Sequence, residues 1–215
     1  MNSHNFTNAR PLFPVFHQYL DLVSQEISDL KKDNLEWVST KWEWANWSIK
    51  DNISHVSSHL FRWYLLRWGS RLFPSELPFH DDIHQLAGLP SRRLDENRWG
   101  SIEQIMTMLE QSLELVDQIL GNETPESILD KTIVQGAAGF YGRIADRYPG
   151  TQYQDTNDPS LWHLTLEGTL HHSEGELVTH LFNVQRLKLA QGLNFNVTLP
   201  NIGYWTLPDW DRSLP

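Results

Sequence analysis

The chain of 215 residues contains 40% hydrophobic and 20% charged residues, no cysteine, and a net charge of −10 at pH 7. This charge argues against nucleic acid and anionic membranes as partners, because both favour a basic face, and the lack of cysteine excludes disulfides, thiolate metal ligands and a cysteine nucleophile. No apolar run approaches the roughly 18–20 residues of a membrane span, and residues 1–10 lack a hydrophobic signal core, so we expect one soluble, cytoplasmic domain over residues 1–215.

Four stretches have the apolar spacing of long amphipathic helices, namely about 11–32, 48–68, 101–120 and 158–191. The second stretch opens with a capping sequence at Ser48, and the third opens with a capping box at Ser101. The fourth opens at Asp158 and Pro159, which suit an N-cap and the first helical position. Four such helices predict an all-α fold, a four-helix bundle, which can hold a metal between facing helices.

The segments between these helices are expected to be less regular. Residues 70–100 form a polar, proline-bearing insertion between the second and third helices, and Thr124 caps a short helix after the third. The glycine-rich residues 135–156 are assigned no single structure. The core of the domain is therefore expected over about 11–191, and the tail 192–215 is expected to be extended and to pack across the bundle.

The predicted fourth helix carries the most informative pattern in the chain. His163, Glu167 and His171 are spaced four apart, so they stack on one face of a helix. Viewed down the helix axis, His163, Glu167 and His171 span a sector of ~80°, and Glu174 falls within the same sector. The apolar residues downstream lie within roughly 60–70° of this sector. This face is therefore predicted to be buried. A second set on the same helix falls on the far side and is expected to be solvated: His172, Glu176 and His180.

Buried imidazole and carboxylate groups are costly unless they are paired or bind a metal. Both groups are ligands for zinc, nickel, iron or manganese, so the inward face with His163, Glu167 and His171 is a candidate divalent-metal site. The alternative for Glu167 is a buried ion pair with an arginine such as Arg62 or Arg143. The alternative for His171 is a core histidine that is hydrogen-bonded to the backbone.

The segment 47–56, with the sequence Trp-Ser-Ile-Lys-Asp-Asn-Ile-Ser-His-Val, resembles the opening of helix two in the DinB/YfiT superfamily. In that family a histidine eight residues after the tryptophan is a metal ligand, and His55 occupies this position. Two further family ligands lie four apart on the last long helix. Glu167 with His171 matches their Glu-xxx-His form, which resembles the mycothiol-dependent maleylpyruvate isomerase branch. The order of the long helices is also similar, over about residues 13–190.

Three features leave the assignment of ligands open. Gly175 and Glu176 resemble a glycine followed by Gln or Glu in the family, but they come two residues later than usual, so the register of the fourth-helix ligands is not fixed. Asn52 stands where the family has an aliphatic residue; it either orients a ligand from outside the coordination sphere or indicates a shifted alignment. His59, one turn after His55, is the alternative ligand on the second helix.

The resemblance implies a metal held by His55, Glu167 and His171, with open positions for water or substrate. His163 and Glu174 are the candidate catalytic residues. His163 is an outer hydrogen-bond donor one turn before Glu167, or the third ligand in place of His55. Glu174 is a general base acting on bound water, or an alternative ligand.

The resemblance also implies a reaction class. We expect a metal-dependent enzyme with a small-molecule substrate, either a transferase or isomerase that uses a low-molecular-weight thiol whose sulfur binds the metal, or a hydrolase. The alternative is a non-catalytic bundle that binds a small molecule or a protein partner, which the four tryptophans within residues 37–47 favour. Members of the family tend toward dimers, so we expect a homodimer.

Overall fold

The computed structural model describes residues 6–136 and 138–215, without the side chains of residues 139 and 140. In this part of the chain the fold is mostly helical, with a small three-stranded sheet. The helices are α1 (Pro14–Ile27), α2 (Lys32–Glu36), α3 (Ile49–Phe61), α4 (Gly69–Leu72), α5 (Ile83–Ala87), α6 (Ile102–Asn122), α7 (Pro125–Asp130), α8 (Gly139–Arg147) and α9 (Leu166–Ala190). The strands are β1 (Thr132–Gly136), β2 (Gln152–Gln154) and β3 (Leu161–Thr165).

Each of the four longest helices packs on two of the others. Helix α3 contacts both α6 and α9, and α1 contacts the same two helices. Helix α3 continues as a π-helical segment at Arg62–Arg67, so the second predicted helix is confirmed over nearly its full length. The predicted caps at Ser48 and Ser101 are also confirmed, because each hydroxyl accepts a hydrogen bond from the backbone N–H three residues later.

The three-stranded sheet corrects the all-α prediction. Its strand order is β1-β3-β2 and both pairs are antiparallel, with His163 of the central strand opposite Val134 on one side and Tyr153 on the other. The strands contain β-branched and aromatic residues that suit a pleated surface. The pairing of β1 with β3 joins segments that are far apart in sequence, and local periodicity carries no information about such contacts.

The predicted start of the fourth long helix at Asp158 is wrong. Helix α9 begins at Leu166, and its N-cap is Thr165, whose Oγ1 accepts a hydrogen bond of 3.0 Å from the backbone N–H of Gly168. Asp158 instead closes a turn, in which its Oδ1 accepts from the backbone N–H of Ser160 at 2.9 Å. Residues 161–165 form β3 instead of a first helical turn, because pairing with the neighbouring strands satisfies their backbone groups.

The insertion between the second and third long helices is held against α3. It contains α4, α5 and a 3₁₀ turn at His80–Asp82. The backbone N–H of Leu94 donates to Ser54 Oγ at 3.1 Å, and the guanidinium of Arg93 forms an ion pair with Asp51. These contacts fix the chain around Arg92 beside the first turns of α3.

The tail 192–215 packs along α9 and has little regular structure beyond a 3₁₀ turn at Tyr204–Thr206. Its backbone is anchored at two places, where Tyr204 N–H donates to Thr179 Oγ1 at 2.8 Å and Arg186 Nη1 donates to the carbonyl of Asp211 at 3.0 Å. Seventeen of the twenty-five residues of α9 are buried as a result of contacts on several sides. Among the described residues, no helix combines the length and apolar content needed to cross a membrane.

Two glycines of α9 provide a matched test of this close packing. A Cβ added at Gly168 lies 2.7 Å from the carbonyl oxygen of Thr151, whereas one added at Gly175 lies 3.5 Å from the ring of Tyr204. Alanine gains about 1 kcal/mol of helix propensity over glycine. We therefore expect Gly168→Ala to be less stable than Gly175→Ala by about 1–3 kcal/mol in urea unfolding, through overpacking. Equal stabilities of the two variants would contradict the close approach.

Candidate metal centre

Three side chains from α3 and α9 converge between these helices: His55, Glu176 and His180. Each offers one ligand atom, and these atoms all lie within 4.8 Å of one another. Glu176 Oε2 is 3.4 Å from His180 Nε2 and 3.7 Å from His55 Nε2. Within the described ranges, no other cluster of three His, Asp or Glu side chains converges in this way.

The donor set and its spacing fit a divalent metal ion. Two ligand atoms at ~2.1 Å from a tetrahedral ion lie ~3.4 Å apart, close to the separations of Glu176 from the two imidazoles. Two imidazoles and a carboxylate suit zinc and several other first-row ions. Three protein ligands leave a position open, as catalytic sites require. The Glu176 side chain is 23% exposed, so the group reaches solvent on that side.

His55 is oriented by the insertion. Its Nδ1 lies 2.8 Å from the carbonyl oxygen of Arg92, which can only accept, so Nδ1 carries the proton and Nε2 is left bare toward Glu176. Burial lowers the pKa of His55 to about 4, and the neighbouring His180 adds to the effect. His55 is therefore neutral at pH 7, as a metal ligand must be.

His180 is oriented in the same way by a side chain. Its Nδ1 lies 2.7 Å from Asn52 Oδ1, which leaves its Nε2 facing Glu176. The ring of Trp47 stacks on His180 at a centroid distance of 6.0 Å and tilts against His55 at 4.9 Å. The indole therefore covers one side of both imidazoles.

Glu176 supplies the negative charge of the group. Its Oε2 atom faces the Nε2 atoms of both imidazoles. An anionic oxygen between two bare imidazole nitrogens is the arrangement that a divalent cation completes.

The placement of the second α9 stripe corrects the prediction that it is solvated. His172 is 3% exposed, and the side chains of Glu176 and His180 are 23% and 14% exposed. Helix α9 packs on α3 along one face and on α1, α7 and α8 along others. Because most of its surface is covered, the apolar residues of α9 do not single out one inward face.

Glu167, His171 and Glu174 form a different cluster on α9. Glu167 Oε1 is 4.0 Å from His171 Nε2, and Glu174 Oε2 is 3.8 Å from His171 Nδ1. The two carboxylates approach opposite nitrogens of one ring, so the three residues do not present ligand atoms to a common point. His171 stacks on Tyr148 at a centroid distance of 3.7 Å. The structure therefore separates Glu167 and His171 from His55, and places Glu174 outside the group around Glu176.

His163 lies on β3 and not on a helix, so the predicted stacking of His163 above Glu167 is wrong. Its Nε2 is 2.7 Å from Asp155 Oδ2, and its ring stacks on Tyr153 at 4.9 Å. The carboxylate of Asp155 has its pKa lowered to about 2, mainly by this hydrogen bond. The predicted catalytic candidate His163 is thus paired within the sheet.

His59, the alternative ligand on the second long helix, is buried beside the group but is not one of its three members. Its Nε2 lies 3.2 Å from Ser173 Oγ, and its ring meets His172 edge-on at 5.0 Å. Burial holds the pKa of His59 well below its usual range. The sequence did contain a signal for the observed set, because Glu176 and His180 repeat the Glu-xxx-His spacing directly after Gly175.

Comparisons of the chain with protein-family models, with curated proteins and with solved structures gave no match.

Proposed function

We propose that this protein is a divalent-metal-dependent enzyme acting on a small molecule, with the metal held by His55, Glu176 and His180. The observation that carries the proposal is the convergence of three ligand atoms within 4.8 Å, with each imidazole turned by its own hydrogen bond. Zinc, nickel, iron and manganese all accept such a donor set.

The chain's own residues prepare the ligands and leave a reacting position free. His55 and His180 present bare Nε2 atoms, and Glu176 contributes one negative charge. Trp47 covers the imidazoles on one side, so a substrate approaches from the exposed side of Glu176. A divalent ion bound there supplies Lewis acidity and lowers the pKa of a coordinated water or thiol.

Two reaction classes fit this site. One is transfer or isomerisation with a thiol, and because the chain has no cysteine the thiol must be a low-molecular-weight cosubstrate. The other is hydrolysis by an activated water. In both classes the nucleophile would bind at the open coordination position of the metal. The positive charge of the metal would then stabilise the anionic form of that nucleophile.

Membership of the DinB/YfiT superfamily is part of the proposal. The mutual packing of α1, α3, α6 and α9 supports a four-helix bundle as the core of the fold. His55 keeps its place eight residues after Trp47, and Glu176 with His180 supplies the Glu-xxx-His pair, nine residues after Glu167 and His171. We further propose a homodimer, as members of that family tend to form.

The two Glu-xxx-His pairs of α9 give a matched test. The protein is purified without a histidine tag or chelator, and its metal content is measured by elemental analysis beside four variants. We expect about one equivalent of metal in the wild type. Little metal is expected in Glu176→Gln and His180→Ala, while Glu167→Gln and His171→Ala keep the wild-type content.

Each outcome bears on the assignment. Metal loss in the Glu167 and His171 variants alone would move the site to that pair. An absence of metal in every preparation, with no rise in melting temperature on metal addition, would remove the enzyme proposal and favour a non-catalytic binding bundle. Metal binding as proposed leads to an activity screen with small thiols and with hydrolysable substrates.

A further inference from the structure

Asn52 connects the start of α3 to the candidate metal centre. The residue is 2% exposed and lies one turn before His55. Its Nδ2 donates to the backbone carbonyl of Ser48 at 2.8 Å, and its Oδ1 lies 2.7 Å from His180 Nδ1. Both ends of the amide are thus engaged, one by its own helix and the other by α9.

The contact with Ser48 fixes which way the amide points. A backbone carbonyl can only accept, so the NH₂ group of Asn52 faces Ser48 and the oxygen faces His180. An amide oxygen can only accept as well, so the proton of neutral His180 resides on Nδ1. The lone pair of Nε2 then points toward Glu176, 3.4 Å away.

The two histidines of the centre differ in how this control is exerted. His55 is held by the carbonyl oxygen of Arg92, which no side-chain substitution removes. His180 is held by the side chain of Asn52. The DinB/YfiT family has an aliphatic residue at the position of Asn52. The family resemblance therefore does not account for Asn52, whereas the hydrogen-bond geometry does.

We propose that Asn52 is a positioning residue that selects the Nδ1–H tautomer of His180 and thereby fixes its Nε2 as a metal ligand. The part of this inference that concerns metal affinity rests on the proposed function. The tautomer of His180 can be measured in the metal-free protein and does not depend on it. Outer hydrogen-bond partners of metal-bound histidines contribute about 10–100-fold in metal affinity. Asn52 is expected to contribute within this range.

The first experiment reads the tautomer without metal. Nitrogen-15 NMR of the imidazole distinguishes protonation at Nδ1 from protonation at Nε2. In the metal-free wild type we expect His180 to be protonated at Nδ1, and in Asn52→Leu we expect the Nε2–H form to be populated. Asn52→Asp keeps an acceptor and is expected to retain the Nδ1–H form.

The second experiment reads metal affinity by titration with Co²⁺, followed by its visible absorption. Asn52→Leu is expected to bind about 10–100-fold more weakly at unchanged stoichiometry, and Asn52→Asp at least as tightly as the wild type. The control is Ser57→Ala, which removes a buried hydroxyl from the same helix. In the described structure this hydroxyl bonds only to the carbonyl oxygen of Ile53. Ser57→Ala is expected to bind Co²⁺ like the wild type.

The outcomes separate this inference from the proposed function. Wild-type protein that binds no Co²⁺ removes the metal enzyme, and the NMR result still decides the role of Asn52. Wild-type protein that binds Co²⁺, with unchanged affinity and tautomer in Asn52→Leu, overturns the positioning role alone. If Asn52→Leu does not fold, Asn52→Asp decides, because loss of the Nδ1–H form in that variant contradicts the inference.

Discussion

Replacing Lys188 with methionine is expected to destabilise the folded protein by about 3–5 kcal/mol, the cost of breaking a buried ion pair by removing one partner. Lys188 and Glu26 are both fully buried, with Nζ 3.0 Å from Glu26 Oε1. Glu26 also accepts hydrogen bonds from Gln185 Nε2 and from the backbone N–H groups of Asn196 and Val197. Methionine leaves this carboxylate buried with neutral donors alone, and the contact between α1, α9 and the tail weakens.

Urea unfolding at pH 7 measures the loss. The matched control is Lys32→Met, which removes an exposed partner of Glu36 at 4.0 Å and should change stability by no more than about 0.5 kcal/mol. The double variant Glu26→Gln with Lys188→Met removes both charges and is expected to be more stable than Lys188→Met alone. A loss below about 1 kcal/mol in Lys188→Met would show that the buried pair is not a stabilising contact of the fold.

The long helices could be predicted because their determinants are local. Ser48 and Ser101 cap helices with side chains three residues from the groups they bond, so the caps are visible in the sequence. The apolar spacing of the first and third stretches reflects helices with one covered face each. These elements required no knowledge of distant contacts.

The start of the last helix could not be predicted because a distant contact decides it. Asp158 followed by Pro159 is a good local helix start, but residues 161–165 pair with β1 and residues 162–164 pair also with β2. The backbone hydrogen bonds of a central strand outweigh a local cap preference. The assignment of His163 to a helix face failed for the same reason.

The candidate site was predicted in type but not in full position. His55 and a Glu-xxx-His pair on the last helix were expected, and the structure joins His55 to Glu176 and His180. The choice between the two pairs depended on which face of α9 is buried. Both faces are largely covered, so the pattern of apolar residues could not distinguish the two pairs; among the described residues, only Glu176 and His180 converge with His55.

Stability of the metal-free protein is expected to fall as the pH is lowered from about 6.5 to about 4, and His172 is expected to be one cause. Burial lowers its pKa from 6.5 to about 4. Glu176 opposes the shift, whereas the positive charges of Arg67 and Arg62 add to it. The side chain also hydrogen-bonds through Nδ1 to the hydroxyl of Tyr204.

The sign follows from the order of the two pKa values. Below pH 6.5 the unfolded chain binds a proton at His172, whereas the folded protein binds it only near pH 4, so acid favours the unfolded state. The loss of folding stability due to His172 is zero well above pH 6.5 and is complete below about pH 4. A difference of about 2.5 pKa units corresponds to about 3 kcal/mol for this one residue.

Urea unfolding in the presence of a chelator, repeated between pH 7.5 and 4, tests this expectation by comparing the wild type with His172→Asn. The variant is expected to be less stable at pH 7.5, because the bond to Tyr204 is altered, yet to lose about 3 kcal/mol less than the wild type over this range. Because the absolute loss at pH 7.5 and the change with pH are separate readouts, a structural defect in the variant does not imitate the result. Parallel curves for the two proteins would mean that His172 does not stay neutral in the folded state, and that the polar contacts between α3 and α9 admit a proton near neutral pH.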